Sequence, residues 1–418
     1  MFTPQSLLSS VRQLGTRALA LAAAAACASG TGGSAAVAGG VIAAPPATTD
    51  SASFVTRLGV DTVAVERVVY TSQRVEADVL LRVPATTRTR YVLDLSPAGE
   101  LARLEAMTTD PRAADKPSRR ELIWRVGDSL RVETTADGQV RTRRVAAHDL
   151  RVLPFIDVVH WPFELALTRV RELRLPQIAQ PLVSGSRVQS FPIVDVGPDS
   201  MTITHPLRGT MRVRVDARGR LLALDAGATT RKLLVERRPW MGTDALNALA
   251  SRWAALDAAG RSLGALSGRA QMEATIAGAR MAADYGTPSK RGREIWGVLV
   301  PFGQVWRTGA NQATHFTTDR DLVFGAGADT LLVPAGRYTL FSIPERDGGL
   351  LIISRQTGQA GTAYDPARDL GRVRLAARPL AEPVEVFTIA ANPEGAGGVM
   401  RLQWDRTELV APFRVRER

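Results

Sequence analysis

From residue 54 onward, apolar and polar positions alternate along much of the chain. A period of two is the mark of strands with one face buried and the other wet. Residues 60–70, 74–83 and 90–95 carry such runs at the spacing of a β-meander, with Pro97-Ala98-Gly99 and Asp137-Gly138 as turn signals between runs. The clearest hairpin pairs residues 210–215 with 220–224 across Asp216-Ala217-Arg218-Gly219. Residues 51–240 are therefore expected to form one antiparallel β domain, a meander or half-barrel of the kind that wraps a hydrophobic cavity. Residues 160–167 (His160 to Leu167) read as a short helix or lid within it.

The period then changes from two to 3.6. Leu246, Leu249, Trp253 and Leu256 recur at three- and four-residue steps, Thr243 or Asp244 is placed to cap the start, and Gly260 and Gly264 stop the pattern. This amphipathic helix, within a linker over 241–269, is expected to dock against a β domain and join the two halves. Beyond it, residues 321–324, 330–333, 336–341, 350–353, 384–389, 399–404 and 409–415 read as strands of a second domain, a β-sandwich over 270–418. The fold class is mainly β: two antiparallel β domains joined by an amphipathic helix.

The N-terminus changes the picture of where the protein works. Arg12 and Arg17 precede an apolar run from Ala18 to Ala26, too short to span a bilayer permanently, so residues 1–27 read as an export signal. The sole cysteine, Cys27, ends that run. In one reading Ala24-Ala25-Ala26-Cys27 is a degenerate lipobox and Cys27 becomes the lipidated first residue. In the other, Ala26-Cys27-Ala28 is an A-x-A cleavage site and the cysteine is discarded. Its position before a Gly/Ser/Ala/Pro tether over 28–50 favours lipidation, and so a periplasmic protein anchored to the membrane through a lipid, as an outer-membrane lipoprotein. Neither reading leaves cysteines for a disulfide framework.

The 418 residues suffice for two to three domains with real cores. The net charge of +12 is almost entirely arginine, since only Lys116, Lys232 and Lys290 are lysines. These arginines are scattered singly along strands (Arg212, Arg214, Arg218, Arg220) instead of forming a block, so no nucleic-acid partner is expected. His148, His160, His205 and His315 lack any metal-ligand spacing. Gly325-Ala326-Gly327-Ala328-Asp329 joins two strands and is a hairpin loop, not a phosphate cradle. Asp319 and Asp321 flank Arg320 in what reads as a solvated turn. No catalytic residue, metal or cofactor is assigned.

One stretch stands apart. Between Tyr285 and Asn311 the chain combines Arg291, Arg293 and Arg307 with Trp296 and Trp306 among several glycines and prolines. Guanidinium forks grip carboxylate or phosphate and indoles stack on rings, so Tyr285, Arg291, Arg293, Trp296, Trp306, Arg307 and Asn311 would suit a small polar or anionic ligand. In the competing reading the indoles are core, and the arginines cover them with their stems or bond loop carbonyls. That structural plug is the preferred reading. A non-enzymatic binding or structural module of the envelope follows. The alternative is an envelope hydrolase whose site assembles only in the fold, which a buried His–carboxylate pair in a polar cleft would mark.

From Ala282 to the C-terminus the chain resembles domain-of-unknown-function family 2911, a group of exported bacterial proteins. The resemblance is carried by Asp284-Tyr285-Gly286, Pro288-Ser289-Lys290-Arg291-Gly292-Arg293, Ile295-Trp296-Gly297 and Leu299-Val300-Pro301. It continues through Val305-Trp306-Arg307-Thr308-Gly309-Ala310-Asn311, Pro334-Ala335-Gly336-Arg337-Tyr338-Thr339-Leu340-Phe341, Glu382-Pro383-Val384-Glu385-Val386-Phe387-Thr388-Ile389 and Leu402-Gln403-Trp404-Asp405. It implies an exported β-sandwich-like domain and carries no activity with it.

Overall fold

The computed structural model describes residues 49–112, 117–327 and 329–416. The export signal, Cys27 and all but the last two residues of the tether lie outside the described residues. The first strand, Asp50–Leu58, takes over where the tether was expected to end.

Two meanders make up the first sheet, which has fifteen strands among the described residues. One runs strand by strand from Asp50–Leu58 out to the edge strand Gln139–Ala146; the other runs from Leu234–Arg238 back to Gln177–Ser184 and Leu153–Pro154. The first and last long strands zip the two together, with Ser53 opposite Arg238 and Arg57 opposite Leu234. The predicted hairpin is present as Gly209–Val215 and Leu221–Asp225, and its alternating burial matches the period-two pattern.

The sheet curls until Arg143, on one edge strand, donates through Nε to the carbonyl of Gly185 (3.2 Å), in the turn that follows Gln177–Ser184 near the opposite edge. The expected hollow interior is not there, and the expected lid is in fact a plug. Helix α1 (Trp161–Leu173) fills the interior with Trp161, Phe163, Ala166, Leu167 and Val170, all buried. A helix inside a barrel must satisfy its own terminal N–H groups. Glu66, fully buried on a strand, accepts from the backbone N–H of His160 (2.9 and 3.0 Å) and Trp161 (3.0 Å), placing a carboxylate at the positive end of the helix dipole.

Helix α2 (Thr243–Ala258) lies on the outer face of the same sheet. Leu246, Ala250 and Trp253 pack on Val65 and Leu80, with Leu249 and Leu256 at the margin, as the 3.6-residue period predicts. Its cap differs from expectation. Gly242 is the capping residue, without a side-chain bond, because the Thr243 hydroxyl accepts instead from Arg67 (2.7 Å).

A nine-stranded, wholly antiparallel second sheet, again among the described residues, starts at Ser267, three residues before the expected boundary. It folds over a core built on Phe316, Phe324, Phe387, Trp404 and Phe413. Residues 399–404 and 409–415, expected as two strands, belong to one bent strand, Gly397–Val415, which turns at Asp405 (φ 55°).

The two sheets meet within a single compact unit spanning Ala47–Arg418. Arg291 makes the joint. Its guanidinium donates to Asp61 (2.8 Å) on the first sheet and to the carbonyls of Leu263 (3.1 Å) and Ala265 (3.2 Å) in the linker, while its backbone N–H donates to Glu385 (2.7 Å) in the second domain. The Arg291 carbonyl accepts from Val60 N–H (3.1 Å). Gly59 is required beside it, since at φ 61° a Cβ would stand 2.1 Å from that oxygen. Arg291 is only 6% exposed, so cutting it back leaves Asp61 and two carbonyls without their partner. Arg291→Ala should cost about 3–5 kcal/mol, the usual penalty for breaking a buried ion pair. Urea unfolding of the full chain reads this, with the wild-type single transition expected to separate into two.

Candidate functional site

The Trp- and Arg-rich stretch wraps one end of the second domain, and its backbone is pinned at several points. Gly286 lies so close to Ala310 that a Cβ would sit 1.9 Å from its carbonyl oxygen. Trp306 exchanges backbone bonds with Ser342 (2.7 and 2.8 Å), the Thr308 hydroxyl donates to Ser342 Oγ (2.9 Å), and Thr314 donates to the Thr308 carbonyl (2.7 Å). These ties hold Thr308 (φ 50°) in a left-handed conformation that costs a threonine on the order of 1–2 kcal/mol, while Asn311 (φ 61°) is of a type that tolerates it. Such costs concentrate at sites whose geometry is imposed by the surrounding structure.

Behind the loop stands an aromatic cluster. Trp306 stacks on Trp404 with ring centroids 6.0 Å apart and planes 16° from parallel, and meets Trp296 and Phe387 edge-on at 6.0 and 5.0 Å. Trp404 is buried and donates to the Glu385 carbonyl (3.2 Å); Trp296 donates to the Trp404 carbonyl (3.2 Å).

In front of the cluster, between the two domains, lies a cavity of about 220 Å³. The second domain contributes Arg293, Trp306, Arg307 and Asn311; the first contributes Thr230 and Lys232. Among the described residues no carboxylate lines it. Burial pushes the Arg307 pKa down with nothing to offset it, and among the described residues its one hydrogen bond is a long one from Nη1 to the Asn311 carbonyl (3.4 Å). Arg293 is likewise depressed by burial, and donates to the carbonyls of Lys290 (3.0 Å) and Ser289. The Lys232 ammonium is lowered first by burial and then by the charges of Arg293 and Arg307, and it donates to the Gly227 carbonyl (2.8 Å). Like charges in a shared, partly dry space repel, and an anion placed there would reverse the sign of that interaction.

The seven residues singled out in the sequence thus divide. Arg293, Trp306, Arg307 and Asn311 line the cavity. Tyr285, Arg291 and Trp296 do not: Tyr285 is core, its hydroxyl accepting from Ile389 N–H (3.0 Å) and its ring edge-on to Phe387; Arg291 is the domain joint; Trp296 backs the aromatic cluster. Sequence reasoning missed Lys232, and rarity was its only signal, as one of three lysines in the chain.

Two other places invite chemistry. His160 and Glu66 form a buried pair, and Thr56 lies within reach: Nδ1 of His160 is 3.3 Å from Glu66 and 3.1 Å from the Thr56 hydroxyl. Both partners share one ring nitrogen, whereas a nucleophile–base–acid relay needs them on opposite nitrogens. The adjoining hollow measures about 30 Å³, the share of a single water, so no substrate fits. His205, facing the same hollow, is pushed down to about 4, chiefly by burial and then by Arg208, so it is neutral at physiological pH. A larger groove of about 950 Å³ runs between the first sheet and α2, but its charges are mutually paired, Arg67 and Arg88 with Asp78 and Arg90 with Glu76.

The depressed Lys232 has a consequence for stability. Between its folded pKa and the ordinary lysine value the unfolded chain binds more protons, so stability rises with pH in that alkaline window and is penalised below it. Lys232→Met should therefore stabilise the protein at neutral pH and flatten the alkaline rise. Urea melts across a pH series check this, and a variant less stable than wild type at neutral pH would contradict it.

Comparison with known proteins places only part of the chain. No curated protein matches it. Among solved structures it is similar to a beta-barrel-like protein of domain of unknown function DUF1849 from Brucella abortus, at 11% identity and TM-score 0.31, covering 46% of this chain and 95% of that one. Residues 267–413, the second sheet with its Trp- and Arg-rich loop, match the model of the family described as protein of unknown function (DUF2911).

Proposed function

We propose that the protein is an exported, non-enzymatic binding module of the cell envelope, and that its ligand is a small polar or anionic molecule held at the domain junction. One observation carries the reading: Lys232, Arg293 and Arg307 share a partly buried cavity whose lining, among the described residues, holds no carboxylate. Of the three, Arg307 has no opposing charge to offset its burial, and a cation so placed in a confined space is costly unless something binds there. The enzyme alternative finds no support in the buried His160–Glu66 pair, whose geometry serves to cap a helix. Export rests on Arg12, Arg17 and the apolar run before Cys27, with lipidation of Cys27 as the proposed means of membrane attachment.

Titration of the full chain with inorganic phosphate and with citrate, read by calorimetry, tests the binding proposal. Saturable binding to at least one is expected, with Arg307→Ala weakening it about tenfold to a hundredfold, as expected for a lost charge-assisted bond. Trp306→Ala should also weaken it, while circular dichroism shows the fold retained. Loss of folding in both variants without any ligand for the wild type would establish the loop as a structural plug instead. For export, the N-terminal mass of protein isolated from membranes should correspond to a diacyl- or triacyl-modified Cys27; a mature protein starting beyond an unmodified residue 28 would overturn the anchor.

A further inference from the structure

We infer that the ligand of the junction cavity is a small oxyanion, a phosphate or carboxylate compound, gripped by both domains at once, so that its binding locks the joint between them. The inference rests on the binding reading above and adds to it the ligand's chemistry and its mechanical effect.

The chemistry follows from the donors that the protein leaves unused. Arg307 has five N–H donors and spends one, weakly, on the Asn311 carbonyl. Lys232 has three and spends one on Gly227. The Trp306 indole N–H has no acceptor among the described residues, and Trp306 lines the same space. A lining rich in donors and without carboxylates matches a ligand that only accepts. An oxyanion has that character, whereas an amine would meet Arg231, Lys232, Arg293 and Arg307 and a sugar would bring hydroxyl donors with few acceptors to receive them. Size narrows the class. A volume of about 220 Å³ equals roughly seven waters, room for a phosphate monoester or a tricarboxylate and not for a long acyl chain.

The bridging follows from where the donors come from. Lys232 sits just before the strand Leu234–Arg238 of the first domain, whereas Arg307 follows Trp306 on the loop of the second. Neither domain alone presents both. Arg293 is committed to the carbonyls of Ser289 and Lys290, so Lys232 and Arg307 are the groups with most to give. The Arg293 and Arg307 charges already depress the Lys232 ammonium; an anion between Lys232 and Arg307 replaces that repulsion with attraction across the junction. By linkage, whatever binds the closed junction more tightly also stabilises it.

The test uses the full chain with inorganic phosphate and with citrate, and sodium chloride of matched ionic strength as the control. Hydrogen-exchange mass spectrometry should show added protection on both sides of the cavity together, in residues 227–233 and 305–311, with either anion and not with chloride. Lys232→Ala and Arg307→Ala should each weaken the calorimetric affinity by about tenfold or more, and Lys232→Arg should restore most of it. Lys232→Met serves as a second, better-packed variant if the alanine form unfolds. If Arg307→Ala abolishes binding while both neutral Lys232 variants bind as wild type, the site belongs to one domain and the bridge is refuted, although the binding reading stands. Protection confined to 305–311 would refute it equally. If neither anion binds the wild type, the binding reading falls and the bridge with it.

Discussion

A single guanidinium sets the geometry of this molecule. Arg291 reaches from the loop of the second domain to Asp61 on the first sheet and to the carbonyls of Leu263 and Ala265 in the linker. Three segments far apart in the chain are tied to one side chain. The planar fork makes this possible, since a lysine ammonium could not hold a carboxylate and two carbonyls in fixed directions. Because the side chain is buried, the arrangement is all or nothing: with every partner in place the charge is compensated, and with one missing it is not. The cavity exists because this joint holds the loop of one domain against residues 230–232 of the other.

The loop beyond Arg291 is neither wholly plug nor wholly binding surface. Its inner residues stabilise. Tyr285 and Trp296 are fixed by bonds to Ile389 and Trp404 and pack in the aromatic cluster. Its outer residues face a shared space, and the left-handed backbone at Thr308 is held against local preference by bonds to Ser342 and Thr314. Trp306 belongs to both parts, stacked on Trp404 on one side and bordering the cavity on the other. Elsewhere some junctions pair acids with two arginines at once, as Asp157 does between Arg208 and Arg231, whereas Arg307 faces its space with no acid beside it.

The first domain shows the same economy of long-range ties. Glu66 lies on a strand of the first meander and caps a helix nearly a hundred residues later, and Glu164 on that helix pairs with Arg237 on the closing strand (2.7 Å). Burial raises the Glu164 carboxyl, and the Arg237 guanidinium opposes that rise. The helix is thereby fixed at both its start and its flank inside the curled sheet, which accounts for a packed interior where the strand pattern suggested a hollow one.

Much of the architecture was legible along the chain. Alternation of apolar and polar residues marked the strands, the step at Leu246, Leu249, Trp253 and Leu256 marked α2, and the dense Trp/Arg/Gly loop marked the family domain. These are local signals: periodicity records which face of a segment is buried, and composition records where the backbone needs freedom. What they cannot record is the partner. That α1 enters the sheet instead of covering it depends on Glu66, and that Arg291 is a joint instead of a ligand residue depends on Asp61, far away in the sequence. Lys232 carried no local mark at all; only the docking of two domains set it across the cavity from Arg307. The sequence determined the elements and the loop that joins them, and tertiary structure alone decided which charges meet, because that depends on contacts no periodicity encodes.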